Sequence, residues 1–144
     1  MKFPIISTAL CAASISANAQ NIHFIAHGIS THQTQRADGQ PWNERNAGLG
    51  IRYEINSDWS IQAGQFKNSL RFKSNYLIAD YTPPQISFVQ AGVFAGRVSG
   101  YSQTDYAAGL VARASFERAS LALRATPKFK GSPSVVALEI GWRF

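Results

Sequence analysis

Val135-Val136-Ala137-Leu138-Glu139-Ile140-Gly141-Trp142-Arg143-Phe144 alternates with a period of two. Val136, Leu138, Ile140, Trp142 and Phe144 share one face, while Ala137, Glu139, Gly141 and Arg143 share the other. Successive side chains of a strand point to opposite sides, so this is a strand whose two faces meet different surroundings. It ends on an aromatic at the last residue.

Working outward, the same alternation predicts strands at 21–29, 46–55, 59–67, 73–81, 86–96, 106–116, 120–128 and 135–144. Each is near the roughly 9–11 residues of a tilted membrane-crossing strand. Their connections measure 16, 3, 5, 4, 9, 3 and 6 residues, long alternating with short. Asn56-Ser57-Asp58 and Thr82-Pro83-Pro84-Gln85 carry turn chemistry, and Glu117-Arg118-Ala119 is a turn by position alone. The pattern predicts an all-β, eight-stranded antiparallel up-and-down transmembrane β-barrel, with short turns in the periplasm and long loops outside.

The charges decide between membrane and water. A charge facing lipid costs several kcal/mol at mid-bilayer, by order of magnitude. Arg52, Glu54, Asp80, Arg113, Arg124, Glu139 and Arg143 all fall opposite the apolar faces set by Leu49/Ile51/Tyr53, Leu77/Ala79/Tyr81, Leu110/Ala112, Leu121/Leu123 and Leu138/Ile140. Charges inside and apolar residues outside invert the soluble pattern. A soluble secreted barrel is the reading this disfavours.

The inversion also explains the composition. The 144 residues are 45% hydrophobic and only 15% charged, against about 25% charged in ordinary soluble domains. Yet past Ala19 no stretch approaches the roughly 18 continuous apolar residues of a membrane helix. One domain is all this length allows. Met1 to Ala19 reads as a secretory signal peptide, one Lys before an apolar stretch ending in Ala17-Asn18-Ala19, with cleavage expected before Gln20 and the barrel occupying 20–144. The single cysteine, Cys11, follows Leu10 within that segment, a poor lipid-attachment site. Disulfides and Cys-ligated metals are therefore not expected in the mature chain.

The net charge of +6 concentrates at one end. Arg36, Arg45, Lys67, Arg71, Lys73, Arg97, Lys128 and Lys130 stand against Asp38, Glu44 and Asp105 at the outer rim. Such a rim suits anionic lipopolysaccharide headgroups, or is simply a solvated basic surface. A secreted membrane barrel has no nucleic-acid partner. The expected partners are the outer membrane, lipopolysaccharide and phospholipid acyl chains, met by a monomer.

Eight strands close too tightly for an open channel, so side chains or one small ligand fill the lumen. The charges gather at its lower and middle levels, where they can pair. The upper level presents Gly48, Gly50, Gly64, Phe66, Gly92, Phe94, Gly96, Gly109, Val111 and Ala137. Either this is open apolar space for an acyl chain, or the glycines relieve crowding where the sheet bends. Reactive side chains are sparse: His23 and His27 on the inner face of strand 1, His32 in the first outer loop, and Ser69 at the outer end of strand 3. A His near a Ser hydroxyl is the minimum for base-assisted acyl transfer. Three His without a carboxylate at ligand spacing make a poor metal site, and no cofactor is expected.

Trp42-Asn43-Glu44-Arg45-Asn46-Ala47-Gly48-Leu49-Gly50 resembles the N-E-R followed by glycines of the lipid A palmitoyltransferase (PagP) family, and Phe66-Lys67-Asn68-Ser69 resembles its Phe-Lys-Asp-Ser. The Arg143-Phe144 ending is similar too, though many outer-membrane barrels share it. The resemblance implies transfer of a palmitoyl chain from phospholipid to lipid A. It places a catalytic His at His27, or else His32, with Ser69 at the family's Ser. It makes Arg45, Gly48, Gly50, Phe66, Gly92 and Phe94 the candidate substrate contacts. Asn68 stands where the family has Asp; it can hydrogen-bond but cannot act as a base. The family's N-terminal amphipathic helix has no counterpart here. Two readings follow: a barrel that binds acyl chains and transfers one to lipid A, or a non-catalytic barrel for surface interaction or envelope integrity.

Overall fold

The structure, a computed structural model, describes residues 19–84, 88–101, 106–128 and 133–144. Residues 1–18 of the expected leader at 1–19, together with Gln85, Asp105 and Lys130, lie outside the described residues. After a single helical turn at Ala19–Asn21 come eight strands: β1 (Ile22–His32), β2 (Arg45–Glu54), β3 (Trp59–Lys67), β4 (Lys73–Tyr81), β5 (Val89–Val98), β6 (Tyr106–Phe116), β7 (Ala119–Thr126) and β8 (Val135–Arg143). Each pairs antiparallel with the next, and β8 returns to β1, closing the barrel. The all-β, eight-stranded antiparallel barrel is the expected one.

The end of β1 differs from the expected one for a physical reason, while the expected start of β5 at 86 lies outside the described residues. β1 runs on to His32, which is strand rather than loop. Its extension contains a bulge. Against β8, His27 pairs with Glu139 and Ser30 with Ala137, leaving Gly28 and Ile29 opposite Leu138 alone. An extra residue shifts the phase of everything beyond it. His23, Ile25 and His27 face inward below the bulge; Ser30 and His32 face inward above it.

The turns use local chemistry. Asn56 Oδ1 accepts from the amides of Asp58 (2.9 Å) and Trp59 (2.8 Å), closing the β2–β3 turn. The β6–β7 turn is only residues 117–118, with Glu117 at a φ of 48°, and Ala119 already belongs to β7.

The barrel wall is inverted as the strand phases require. Leu49, Ile51, Leu77, Val93, Leu110, Leu123 and Ile140 are exposed on the outside, while Arg52, Asp80, Arg113, Arg124 and Glu139 are each no more than 5% exposed inside. Arg143 is half-buried and donates to the Glu117 carbonyl at 2.8 Å. Buried charge is tolerable only when paired and hydrogen-bonded. Here Arg124 makes two bonds to Asp80 (2.7 and 2.8 Å) and one to Glu139 (2.7 Å), and Arg113 adds a third to Asp80 at 2.7 Å. Gln62 donates to Glu139 at 3.3 Å, and Arg52 reaches Ser120 at 3.2 Å. This polar plug fills the middle of the lumen.

Candidate functional site

Above the plug lies a cavity of about 340 Å³, within the range of small-molecule sites. Phe66, Tyr76, Ile78, Phe94, Val98 and Tyr101 form its walls. Arg124 and Glu139 form its floor, and His32, Trp42, Asn46 and Ser69 lie at its outer end. The Arg124 guanidinium sits over the Phe94 ring, 5.0 Å from its centroid, so the floor presents an aromatic face rather than a bare charge.

Tight approaches in the wall explain most of the glycines. A Cβ at Gly50 would fall on the Tyr76 hydroxyl, one at Gly64 would strike the same hydroxyl, and one at Gly48 would strike Phe66. At Gly92 it would fall on the Tyr81 carbonyl. These glycines relieve crowding; the expectation of open space beside them is corrected. Gly48, Gly50 and Gly92 are absent from the cavity wall, whereas Phe66 and Phe94 are part of it. Arg45 is exposed at the outer end of β2, and its neighbour Asn46 faces the cavity instead.

His27 lies near the floor. Its Nε2 is 2.7 Å from the Tyr76 hydroxyl and its Nδ1 is 3.6 Å from Glu139 Oε1. The Phe66 ring lies 5.4 Å away. A carboxylate, an imidazole and a phenol thus line up, with the phenol held in the notch of Gly50 and Gly64. This arrangement fixes the His27 ring and leaves its Nε2 already engaged.

His32 is different. The β1 bulge turns it inward at the mouth, where it stacks on Trp42 with centroids 4.7 Å apart and planes at 12°. Both its ring nitrogens are buried without a hydrogen-bond partner among the described residues. Arg36 lies over the other ring partner, Trp42, at 5.4 Å and pairs with Asp38. The Gln40 amide, with Arg36 adding to it, holds the Asp38 carboxyl below its usual range.

Ser69 and Asn68 belong to the β3–β4 loop. Ser69 is buried and lines the cavity beside Tyr101, whose phenol is pushed up by burial against the opposing pull of Ser69. Asn68 is wholly buried and fully occupied. Its amide nitrogen donates to Ser74 Oγ and the Gly100 carbonyl, both at 3.0 Å, and its Oδ1 accepts from the amides of Leu70 and Phe72, both at 2.9 Å. With two donors and two acceptor positions used, it builds the loop and has nothing left to orient an imidazole.

Sequence reasoning missed the residues that join the loops. The Asn43 side chain donates to the Asn68 carbonyl at 2.9 Å while its backbone amide donates to the Ser69 carbonyl at 3.0 Å. Asn46 donates to the Lys67 carbonyl at 2.9 Å. The two asparagines flanking Glu44-Arg45 were the available signal. Tyr76 and Tyr101 carried none, because both partners are distant in sequence. The structure brings His32, Ser69 and Phe66 to one cavity mouth and wall, places His27 and Phe94 near its floor, and leaves Arg45 outside.

No family model matches the chain, and no curated protein does. Among solved structures it is similar to the outer membrane protein Ail of Yersinia pestis, a backbone structure in a phospholipid bilayer nanodisc. That similarity has a TM-score of 0.45 and 15% identity, covering 86% of this chain and 99% of that one.

Proposed function

We propose that this chain spans the bacterial outer membrane after signal-peptide cleavage and takes the acyl chain of a lipid into its upper lumen. The observation that carries the reading is the apolar cavity standing on a sealed charged floor, inside a wall whose exterior is apolar. An alkyl chain fills such a space without leaving a polar group unpaired.

Transfer of that chain to lipid A is the catalytic form of the reading. His32 then takes the proton of the acceptor hydroxyl as it attacks the ester carbonyl of a phospholipid. The acyl–oxygen bond of the donor breaks, the new ester forms on lipid A, and the departing alkoxide recovers the proton from the imidazolium. Ser69 donates a hydrogen bond to the carbonyl oxygen. His32 fits the base better than His27, because its ring nitrogens have no hydrogen-bond partner among the described residues while His27 is held by Tyr76.

One observation favours the non-catalytic reading: Asn68 is consumed by its loop and so does not orient the imidazole. Mass spectrometry of lipid A from cells with and without the protein separates the two. Transfer adds one acyl mass, which His32→Ala abolishes and Ser69→Ala reduces. Unchanged lipid A, with a labelled acyl lipid still bound by the purified protein, leaves binding without transfer.

A further inference from the structure

Lys67 and Lys73 are the last pair of the β3–β4 ladder and stand directly opposite each other. Both are exposed on the outer face of the barrel. Like charges in directly opposed positions destabilise a sheet, and neither lysine has an ion-pair partner among the described residues. Arg71, exposed in the intervening loop with a φ of 72°, adds a third cation. Something anionic is the missing partner, and the rest of the hairpin says where that anion sits.

The outward pairs of this hairpin form a depth scale. Below Lys67–Lys73 come Gln65–Asn75, then Ala63–Leu77, Ile61–Ala79 and finally Trp59–Tyr81. Cationic, polar, apolar, apolar and aromatic rows follow one another from the loop end to the turn end. Eight steps along a strand, tilted by about 40°, amount to about 20 Å of height, close to the apolar band of a membrane barrel. The lysines therefore stand at the level of lipid phosphates on the side of the outer loops, with the 63% exposed Phe72 beside them.

We infer that Lys67 and Lys73, with Arg71 above them, form an external clip for the phosphates of lipid A. This rests on the membrane-spanning reading, but the site is outside the barrel and independent of the lumen. The clip is held in shape from within: the inward residues beside it, Asn68 of the loop and Ser74 of β4, are tied to the neighbouring loop by the Gly100 carbonyl and the Ser99 carbonyl. A rigid loop keeps the two ammonium groups apposed instead of letting them splay, which favours a bridging phosphate.

The test is a titration of the purified, detergent-solubilised protein with diphosphoryl lipid A. Correct folding is first verified by heat-modifiable migration. The Lys67→Gln/Lys73→Gln double variant should bind lipid A about tenfold more weakly than the native protein, the sum of two modest ion pairs. Arg118→Gln, an exposed cation of the β6–β7 turn at the opposite end of the barrel, should bind normally. Removing the phosphates from lipid A should cost the native protein the same factor. Equal affinity of the double variant overturns the clip, as does equal weakening by Arg118→Gln, or phosphatidylglycerol binding as tightly as lipid A. Partition of the same samples into vesicles distinguishes the levels: protein that enters bilayers but ignores lipid A overturns the clip alone, while protein that stays in water overturns the membrane reading.

Discussion

The Tyr76 hydroxyl lies 2.7 Å from His27 Nε2, in the space left where Gly50 and Gly64 have no side chain. A substitution at Gly50 therefore acts on the histidine through the tyrosine. Gly50→Ala should destabilise the barrel by about 1–3 kcal/mol, as overpacking does. Removing the hydroxyl with Tyr76→Phe in the same chain should recover part of that loss. Urea unfolding in lipid or detergent, followed by tryptophan fluorescence, checks the cycle; strictly additive effects would contradict the contact.

Arg124 joins Asp80 to Glu139 and is the centre of the plug. Arg124→Met leaves Glu139 with only Gln62 and the His27 ring beside it among the described residues and should cost about 3–5 kcal/mol, the cost of removing one partner from a buried pair. The same unfolding measurement reads it. A loss under 1 kcal/mol would mean that the carboxylates find water instead.

Asn68→Asp introduces the residue that the lipid A palmitoyltransferases have in the motif this loop resembles, yet no gain of transfer is expected from it. A carboxylate cannot donate to the Gly100 carbonyl, so the loop loses bonds it now makes. Destabilisation of about 1–3 kcal/mol follows from the unmet acceptor. Unfolding gives the cost and the lipid A mass spectrum gives the activity; acyl transfer appearing in this variant would overturn the structural role of Asn68.

Deleting Gly28 removes the extra residue of the β1 bulge against β8. Ile29 then stands alone opposite Leu138, and alternation from His27 leaves Ser30 and His32 on the inner face in a continuous β1–β8 ladder. Binding of a labelled acyl lipid and the stack of His32 on Trp42 should both be retained, and loss of either would contradict this register. Near-ultraviolet circular dichroism and lipid titration check both, with the heat-modifiable band confirming that the barrel still closes.

The barrel was legible because the charges broke the ambiguity of the apolar face. Arg52, Asp80, Arg113, Arg124 and Glu139 needed only strand phase to be placed, and phase survives boundary errors. The bulge was not legible. His27-Gly28-Ile29-Ser30-Thr31-His32 has no clear alternation, so its change of phase has no local signature. Ser69 and His32 could be nominated as chemical types, but their common cavity depends on that bulge. Asn68 could be read only as a substitute for Asp, because its four partners come from the loop's folded shape. The glycines were ambiguous for a different reason: an absent side chain makes room, and only the neighbour that takes the room tells what it is for.

Closure of the barrel joins β1 to β8, the two strands most distant in sequence, so this ladder has the highest contact order in the molecule. It forms in two stretches, His23–His27 with Glu139–Arg143 and Ser30–His32 with Val135–Ala137, separated by the bulge. A slip of one residue in the first stretch would turn Glu139 or His23 toward lipid. A slip in the second alone would break the offset that Gly28 and Ile29 provide. Only one alignment satisfies both stretches, so the irregularity in the strand acts during assembly as a check on how the ends of the chain meet.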